Sequence, residues 1–288
     1  MNDATVYLNG DFVPASEAKV SVLDRGFIFG DGVYEVIPAY GGHLLRLEHH
    51  LARLGQSLSA IRLANPLTDE EWADVLSQVV SHNEGVDQSV YLQVTRGVAR
   101  RDHAFPPDTK PTVFVMSTPL TPLPPALREH GAEAITLEDI RWQYCNIKAI
   151  ALLPNVLLRQ QAIDTGAMEA ILYRNGVVTE GAASNVFAVS DGLLLTPPKS
   201  DQLLPGITRD LVVELAHEHN IACSETALSL ATLRNAEEIW LTSSTKEIVP
   251  VRTLDGNPVG EHCPGKLWHR MYGIYQDYKA AVRAGERA

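Results

Sequence analysis

"MEAILYRNGVVTEGAASNVFAVSDGLLLTP", residues 168–197, decides the fold class. Asn175-Gly176 and Asp191-Gly192 each interrupt runs of apolar and β-branched residues. Such pairs supply the positive φ angles that a tight hairpin turn requires, so both pairs predict antiparallel strands. Outward from this stretch, helices are expected at about Asn155–Thr165, Ile207–His219 and Gly265–Val282. Strands and helices are mixed along the chain, the pattern of an α+β protein with mostly antiparallel sheets in two domains.

The first third of the chain reads the same way. "ATVYLNGDFVP" carries another Asn-Gly turn, and "GVYEVIPAY" runs into Gly41-Gly42. Leu44, Leu47, Leu51, Leu54, Leu58 and Ile61 recur at three- and four-residue intervals and predict an amphipathic helix. Thr68 before Asp69-Glu70-Glu71 is a suitable N-cap for a second helix ending near Ser81. "SVYLQVTRG" and "PTVFVMST" are two further strands. "PLTPLPPALREHG" then brings four prolines, which remove backbone donors and fix the chain. The expected division is a small N-terminal α+β domain over residues 1–119, a linker over 120–125 and a larger C-terminal domain over 126–288.

Composition narrows the function. A hydrophobic share of 45% and a charged share of 20% describe a globular protein. A net charge of −11 argues against nucleic-acid and anionic-membrane partners, which reward clustered Lys and Arg. No apolar run approaches the ~20 residues needed to cross a bilayer. The N-terminus lacks the basic start and apolar stretch of a signal peptide, so the expected compartment is the cytoplasm. Cys145, Cys223 and Cys263 form no CxxC pair and suit a reducing compartment. His49-His50 and His217/His219 have spacings that do not share a helix face, so they predict solvated side chains and no metal.

Lys148 stands out in "QYCNIKAIALLPN", residues 143–155, with apolar residues on both sides and no adjacent acid. Its stem could cover apolar neighbours while the amine reaches solvent. If both faces are buried instead, desolvation disfavours the ammonium and leaves a nucleophilic or Schiff-base amine. Glu180 ends a strand and precedes Gly181-Ala182-Ala183-Ser184, small residues that let a flat ring approach the backbone. "LLPGITRD" places Gly206, Ile207 and Thr208 at a loop-to-helix junction. That is either a plain helix start or a phosphate seat. The hydroxyls Thr242, Ser243, Ser244 and Thr245 follow a strand and are either a turn or a second phosphate contact. Arg96, Arg100, Arg101 and His103 form a basic loop, solvated or suited to a carboxylate, which Arg grips bidentately. "FGDGVYE" has no helix after its glycines and is not a dinucleotide fingerprint.

Taken in order, "DRGFIFGDGVYEV", "LEHHLARL", "VTRGVARRDHAFP", "EDIRWQYCNIKA", "VTEGAASNVF", "LLPGITRD" and "LTSSTKEI" resemble the fold-type IV pyridoxal-phosphate aminotransferases over nearly the whole chain. "EDIRWQYCNIK" and the Arg-x-His of "RRDHAFP" look like the D-amino acid branch of that family. The resemblance implies pyridoxal 5'-phosphate as cofactor, with Lys148 as its Schiff-base lysine and proton carrier. It implies Glu180 at the pyridine nitrogen, Leu204 against the ring, and Arg53, Ile207, Thr208, Ser243, Ser244 and Thr245 around the phosphate. Tyr34, Val36, Arg101 and His103 match its substrate contacts, the last two reaching in from a neighbouring subunit, which implies a homodimer with a shared active site. Amino transfer between D-amino acids (D-alanine, D-glutamate) and 2-oxo acids follows. Ala182 and Ala183 depart from the serines common in close relatives. Rival readings are an aminodeoxychorismate-lyase, branched-chain or (R)-amine member of the family and, further off, a non-catalytic binder of a phosphorylated ligand.

Overall fold

The computed structural model describes residues 3–287. It divides into two compact units, and the division is not contiguous in sequence. One unit comprises the chain up to Thr121, residues Ile147–Ala151 and the chain from Lys279 on; the other comprises Pro122–Asn146 and Leu152–Tyr278. The chain passes between them at Thr121-Pro122, inside the proline-rich stretch. A contiguous reading assigns Ile147–Ala151, the segment carrying Lys148, to the second part; it packs with the first.

The first unit is built on β1 (Thr5–Leu8), β2 (Asp11–Pro14), the short helix α1 (Arg25–Phe29), β3 (Gly32–Tyr40), β4 (His43–Leu44), α2 (Leu47–Ala60), α3 (Asp69–His82), β5 (Asp87–Thr95) and β6 (Thr112–Pro119). Its six strands run in the order β2-β1-β6-β5-β3-β4, each neighbouring pair antiparallel. The stripe at Leu51, Leu54 and Leu58 on α2 and Trp72, Leu76 and Val79 on α3 packs on the buried face of β3 and β5. Each such fully buried large side chain stabilises by about 2 kcal/mol. Thr68 caps α3 in a complete capping box: its Oγ1 accepts from Glu71 N at 3.2 Å, and Glu71 accepts from Thr68 N at 2.7 Å. Helix α1 has no counterpart in the sequence reading, being too short to show periodicity; Asp24 caps it by accepting from Gly26 N.

The second unit contains α4 (Pro125–His130), β7 (Ala132–Glu138), α5 (Leu153–Asp164), β8 (Glu169–Arg174), β9 (Val177–Gly181), β10 (Asn185–Ser190), β11 (Leu193–Thr196), α6 (Ile207–Glu218), β12 (Cys223–Glu225), α7 (Leu230–Arg234), β13 (Glu238–Ser243), β14 (Glu247–Leu254), β15 (Asn257–Pro258) and α8 (Lys266–Arg283), whose last turn belongs to the first unit. The sheet order is β12-β11-β10-β13-β14-β7-β8-β9, with β15 on β14. Pairings are mostly antiparallel; β7 with β8, β7 with β14 and β11 with β12 are parallel. Both expected hairpins form. Asn175 and Gly176 (φ 50° and 75°) turn β8 into β9, and Asp191 and Gly192 (φ 50° and 70°) turn β10 into β11.

Candidate active site

In the first unit, β3 sorts its side chains by alternation. Glu35 faces α2 with Val33 and Ile37, all fully buried, while Tyr34 and Val36 lie half-buried on the opposite face. Residues 147–151 lie against β3: Tyr34 N donates to Lys148 O at 3.0 Å, Ile150 N donates to Gly32 O at 3.1 Å, and Ala149 bridges Val33. Lys148 N also donates to Ser57 Oγ at 3.2 Å. These contacts put Lys148 Nζ 4.2 Å from the centroid of the Tyr34 ring, which also stacks with Tyr91 at 5.7 Å. An amine over an aromatic face is held and kept from water on one side. The apolar flanks of Lys148 are less enclosed than the sequence suggests: Ile147, Ala149 and Ile150 are half-buried and Ala151 is exposed. The segment pairs with the edge of β3 at its start, with Ile147 against the core of this unit.

Behind β3 lies a charged cluster that the sequence reading missed. Arg53 Nε and Nη2 each donate to the Glu35 carboxylate at 2.7 Å, and His50 Nδ1 sits 2.8 Å from the same carboxylate. Burial alone would push the Glu35 carboxyl up; the Arg53 charge and the hydrogen bonds from Arg53 and His50 hold it well below the usual carboxylate range. The expectation of solvated histidines is therefore corrected at His50, which is 1% exposed and whose ionisation burial pushes down. His50 and Arg53 are three residues apart on α2 and share a face, a signal that pairing His50 with His49 hid. His49, His217 and His219 are exposed as expected. Among the described residues no cluster of His, Cys, Asp and Glu could hold a metal ion.

Arg101 and His103 are exposed on the loop after β5 and meet on one ring, that of Phe29 at the end of α1, at 5.6 Å each.

In the second unit, Glu180 at the end of β9 is 4% exposed and its carboxylate has three protein donors. Arg141 Nη1 donates to Oε1 at 2.6 Å; Leu204 N and Asn185 Nδ2 donate to Oε2 at 3.0 and 3.2 Å. Burial pushes the Glu180 carboxyl up to about 7, against the Arg141 charge and these bonds, which pull it down. Such a carboxylate binds a proton or a protonated ring nitrogen near neutral pH. Asn185 also donates to Leu204 O at 2.9 Å, fixing the loop that leads into α6. At Gly206, the N-cap of α6, any Cβ would sit 1.9 Å from Asn185 Oδ1, so only glycine fits. No side chain caps the helix, and Ile207 and Thr208 are buried in its first turn, so its backbone N–H groups and dipole can receive an anion. Ser243, Ser244 and Thr245 run from the end of β13 into its turn with β14 and are half-buried; Thr242 Oγ1 is buried with no hydrogen-bond partner. At the departure from the expected serines, Ala182 is buried, with its backbone bonded to Ala170 and Asn155, and Ala183 is exposed. Arg141 and Asn185 stand inside "EDIRW" and "EGAASN", but nothing local to those stretches shows that both reach Glu180.

Comparisons with known proteins give the family. The model of the amino-transferase class IV family matches residues 32–254. A D-alanine aminotransferase of Staphylococcus aureus (strain MW2) is 39% identical over 274 residues, 95% of this chain and 97% of that one. Among solved structures, the branched-chain amino acid aminotransferase of Escherichia coli superposes with a TM-score of 0.91 at 28% identity, covering 100% of this chain and 97% of that one. A hypothetical aminotransferase from Mycobacterium tuberculosis, in its PLP-bound form, superposes with a TM-score of 0.83 at 25% identity, covering 99% of this chain and 100% of that one. The fold is that of the fold-type IV aminotransferases, as the sequence motifs implied. The chain belongs to the class IV aminotransferases, enzymes that carry pyridoxal phosphate.

Proposed function

We propose that the protein is a pyridoxal-phosphate-dependent transaminase that moves amino groups between D-amino acids and 2-oxo acids, with D-alanine and 2-oxoglutarate as the expected pair. The observation that carries the reading is the Glu180 carboxylate, buried on three donors and brought near neutrality. The near full-length similarity to a D-alanine aminotransferase supports the substrate class.

The side chains fit a phosphorylated pyridine. The Gly206 cradle and uncapped α6 suit a phosphate, the orphaned Thr242 hydroxyl lies at the end of the strand leading into Ser243 and Ser244, and Glu180 suits a ring nitrogen. When bound, the cofactor supplies an electron-withdrawing ring and a carbonyl carbon that amines attack. Lys148 would hold the cofactor through Nζ and would serve as the base and acid at the substrate Cα. Glu180 would face the ring nitrogen and favour its protonated form. Leu204 would lie against the ring. Ile207, Thr208, Ser243, Ser244, Thr245 and Arg53 would hold the phosphate. Tyr34 and Val36 line the substrate side of β3, and Arg101 and His103 grip the substrate α-carboxylate from the neighbouring subunit.

A homodimer is part of this reading. Leu23, Phe27, Val98 and Phe105 are exposed apolar side chains on or beside the Arg101 loop, which a second copy would cover. The reducing cytoplasm is the proposed compartment, supported by three free cysteines; no helix among the described residues is long and apolar enough to cross a membrane.

Borohydride reduction of the protein loaded with pyridoxal phosphate, followed by peptide mapping, should place the label on Lys148. Turnover should be faster with D-alanine than with L-alanine or a chiral amine lacking a carboxylate. Pyruvate release from D-alanine without an oxo-acid acceptor, beyond one equivalent, would point to a lyase instead. No label on Lys148 would remove the reading altogether.

A further inference from the structure

The proposed substrate-carboxylate ligands Arg101 and His103 lie on an exposed loop with no regular structure. Flexible loops give poor ligands because ordering them on binding costs free energy. Something has to hold this one in shape beforehand.

Arg25, the first residue of α1, is 4% exposed. Its Nη1 donates to Asp102 O at 2.6 Å and to Ala104 O at 3.3 Å, the two carbonyls that flank His103. Its Nε donates to Asp31 Oδ2 at 2.7 Å, and its guanidinium carbon lies 4.8 Å from the centroid of the Phe29 ring on which Arg101 and His103 meet. Asp31 is held in turn by Arg96, whose Nε and Nη2 donate to its two oxygens at 2.8 and 3.1 Å. Arg96 also donates to Ile61 O and Arg62 O, and stacks on Phe105 at 3.8 Å. At the base of the loop, Arg25 N donates to Gly97 O at 2.9 Å and Asp24 bridges Val98. Asp31 takes one edge of the buried Arg25 guanidinium, and the loop carbonyls accept from Nη1, so the desolvation of Arg25 is offset in full only while the loop keeps this conformation.

We propose that Arg25 is a positioning residue for substrate recognition: gripping the carbonyls of Asp102 and Ala104, it sets the loop so that Arg101 and His103 form a ready-made carboxylate clamp. Asp31 is its anchor. This gives the FGDG motif a role in recognition that its glycines alone do not suggest. Lysine cannot replace Arg25, because a single ammonium lacks the planar fork that reaches Asp31 and both carbonyls together.

The inference rests on reading Arg101 and His103 as carboxylate ligands, and two readouts keep the two claims apart. The first is tryptic cleavage after Arg100 and Arg101, compared at equal dimer content by size-exclusion chromatography, so that it depends on loop order and not on what the loop binds. Arg25→Ala should be nicked there at least about tenfold faster than wild type, and Arg25→Lys at an intermediate rate. The second is the KM for D-alanine, expected to rise roughly tenfold or more in Arg25→Ala with kcat changed far less, while cofactor absorbance and the KM for an amine donor without a carboxylate stay put. Arg101→Ala serves as reference. If it raises the KM for D-alanine and Arg25→Ala does not, the positioning role is overturned and the carboxylate reading stands. If Arg101→Ala leaves that KM unchanged, the carboxylate reading fails, and accelerated nicking in Arg25→Ala would then support the loop clamp by itself. Should Arg25→Ala not fold, Arg25→Lys decides: wild-type nicking and wild-type KM in that variant overturn the proposal. Equal losses in kcat, KM and cofactor absorbance also overturn it, since they mark general damage to the fold.

Discussion

Arg141 Nη1 lies 2.6 Å from Glu180 Oε1, and the same guanidinium is pinned through Nε and Nη2 to the two oxygens of Asp139 at 2.9 and 2.8 Å. Asp139 is itself fixed by Thr179 Oγ1 at 3.1 Å and by Arg174 at 3.3 Å. Arg141 therefore reaches Glu180 as a fixed cation, not as a mobile side chain. Its positive charge meets a carboxylate that burial is driving toward protonation.

Replacing that cation should change how the enzyme responds to pH. In Arg141→Met, Glu180 loses its main charge partner and its proton affinity rises further, so the acid limb of the kcat profile should move to higher pH. Turnover at pH 7 should fall by a factor on the order of ten to a hundred, with cofactor still bound. A kcat profile that superimposes on wild type would exclude Arg141 from this role.

Glu180 also predicts a pH dependence of folding in the cofactor-free protein. Its pKa is raised on folding, from 4.5 to about 7. The folded state then binds the proton more tightly than the unfolded chain. The stability linked to this proton is fully present below pH 4.5 and is lost as pH rises through about 7. Glu180→Gln removes the titration. The stability of the wild type relative to this variant should decline across that window by an amount on the order of 3 kcal/mol, read from urea unfolding at several pH values. A constant difference between the two would contradict the burial assigned to this carboxyl.

Glu35 predicts the opposite sign. Its pKa is lowered on folding, so its contribution is present above the ordinary value of 4.5 and is lost as pH falls below it. Glu35→Ala also strands the buried Arg53 guanidinium and His50 ring without their shared acceptor. Loss of about 3–5 kcal/mol is expected at neutral pH, measured by chemical denaturation. A loss below about 1 kcal/mol, ordinary for an exposed ion pair, would mean the cluster is open to water.

Gly206 is the position where a single methyl group tests the phosphate seat. In Gly206→Ala the new Cβ must displace Asn185, which holds both Leu204 and Glu180. Affinity for pyridoxal phosphate should drop by roughly ten- to a hundredfold, corresponding to about 1.4–2.7 kcal/mol. Fluorescence titration of the apo-protein with cofactor reads this directly, and wild-type affinity would show that the α6 start is no part of the seat.

The two hairpins, the α2 and α3 helices and the suspicion attached to Lys148 were legible through local rules: turn chemistry, a 3.6-residue period, an N-cap, or a charge set in an apolar run. The family was legible only through the resemblance of its motifs. What the order of residues did not disclose is which charges meet. Arg141 and Glu180 are separated by 39 positions, Arg53 and Glu35 by 18, and Arg25 and Asp102 by 77. Each pair forms because the fold brings separate segments of chain together and removes water from around them. The same cause misled the reading of His50, whose neighbour in sequence is exposed while it is buried, and of Ile147–Ala151, which lies on β3. Local propensity selects the elements; tertiary packing sets burial and partners, and therefore the ionisation on which the chemistry of this protein depends.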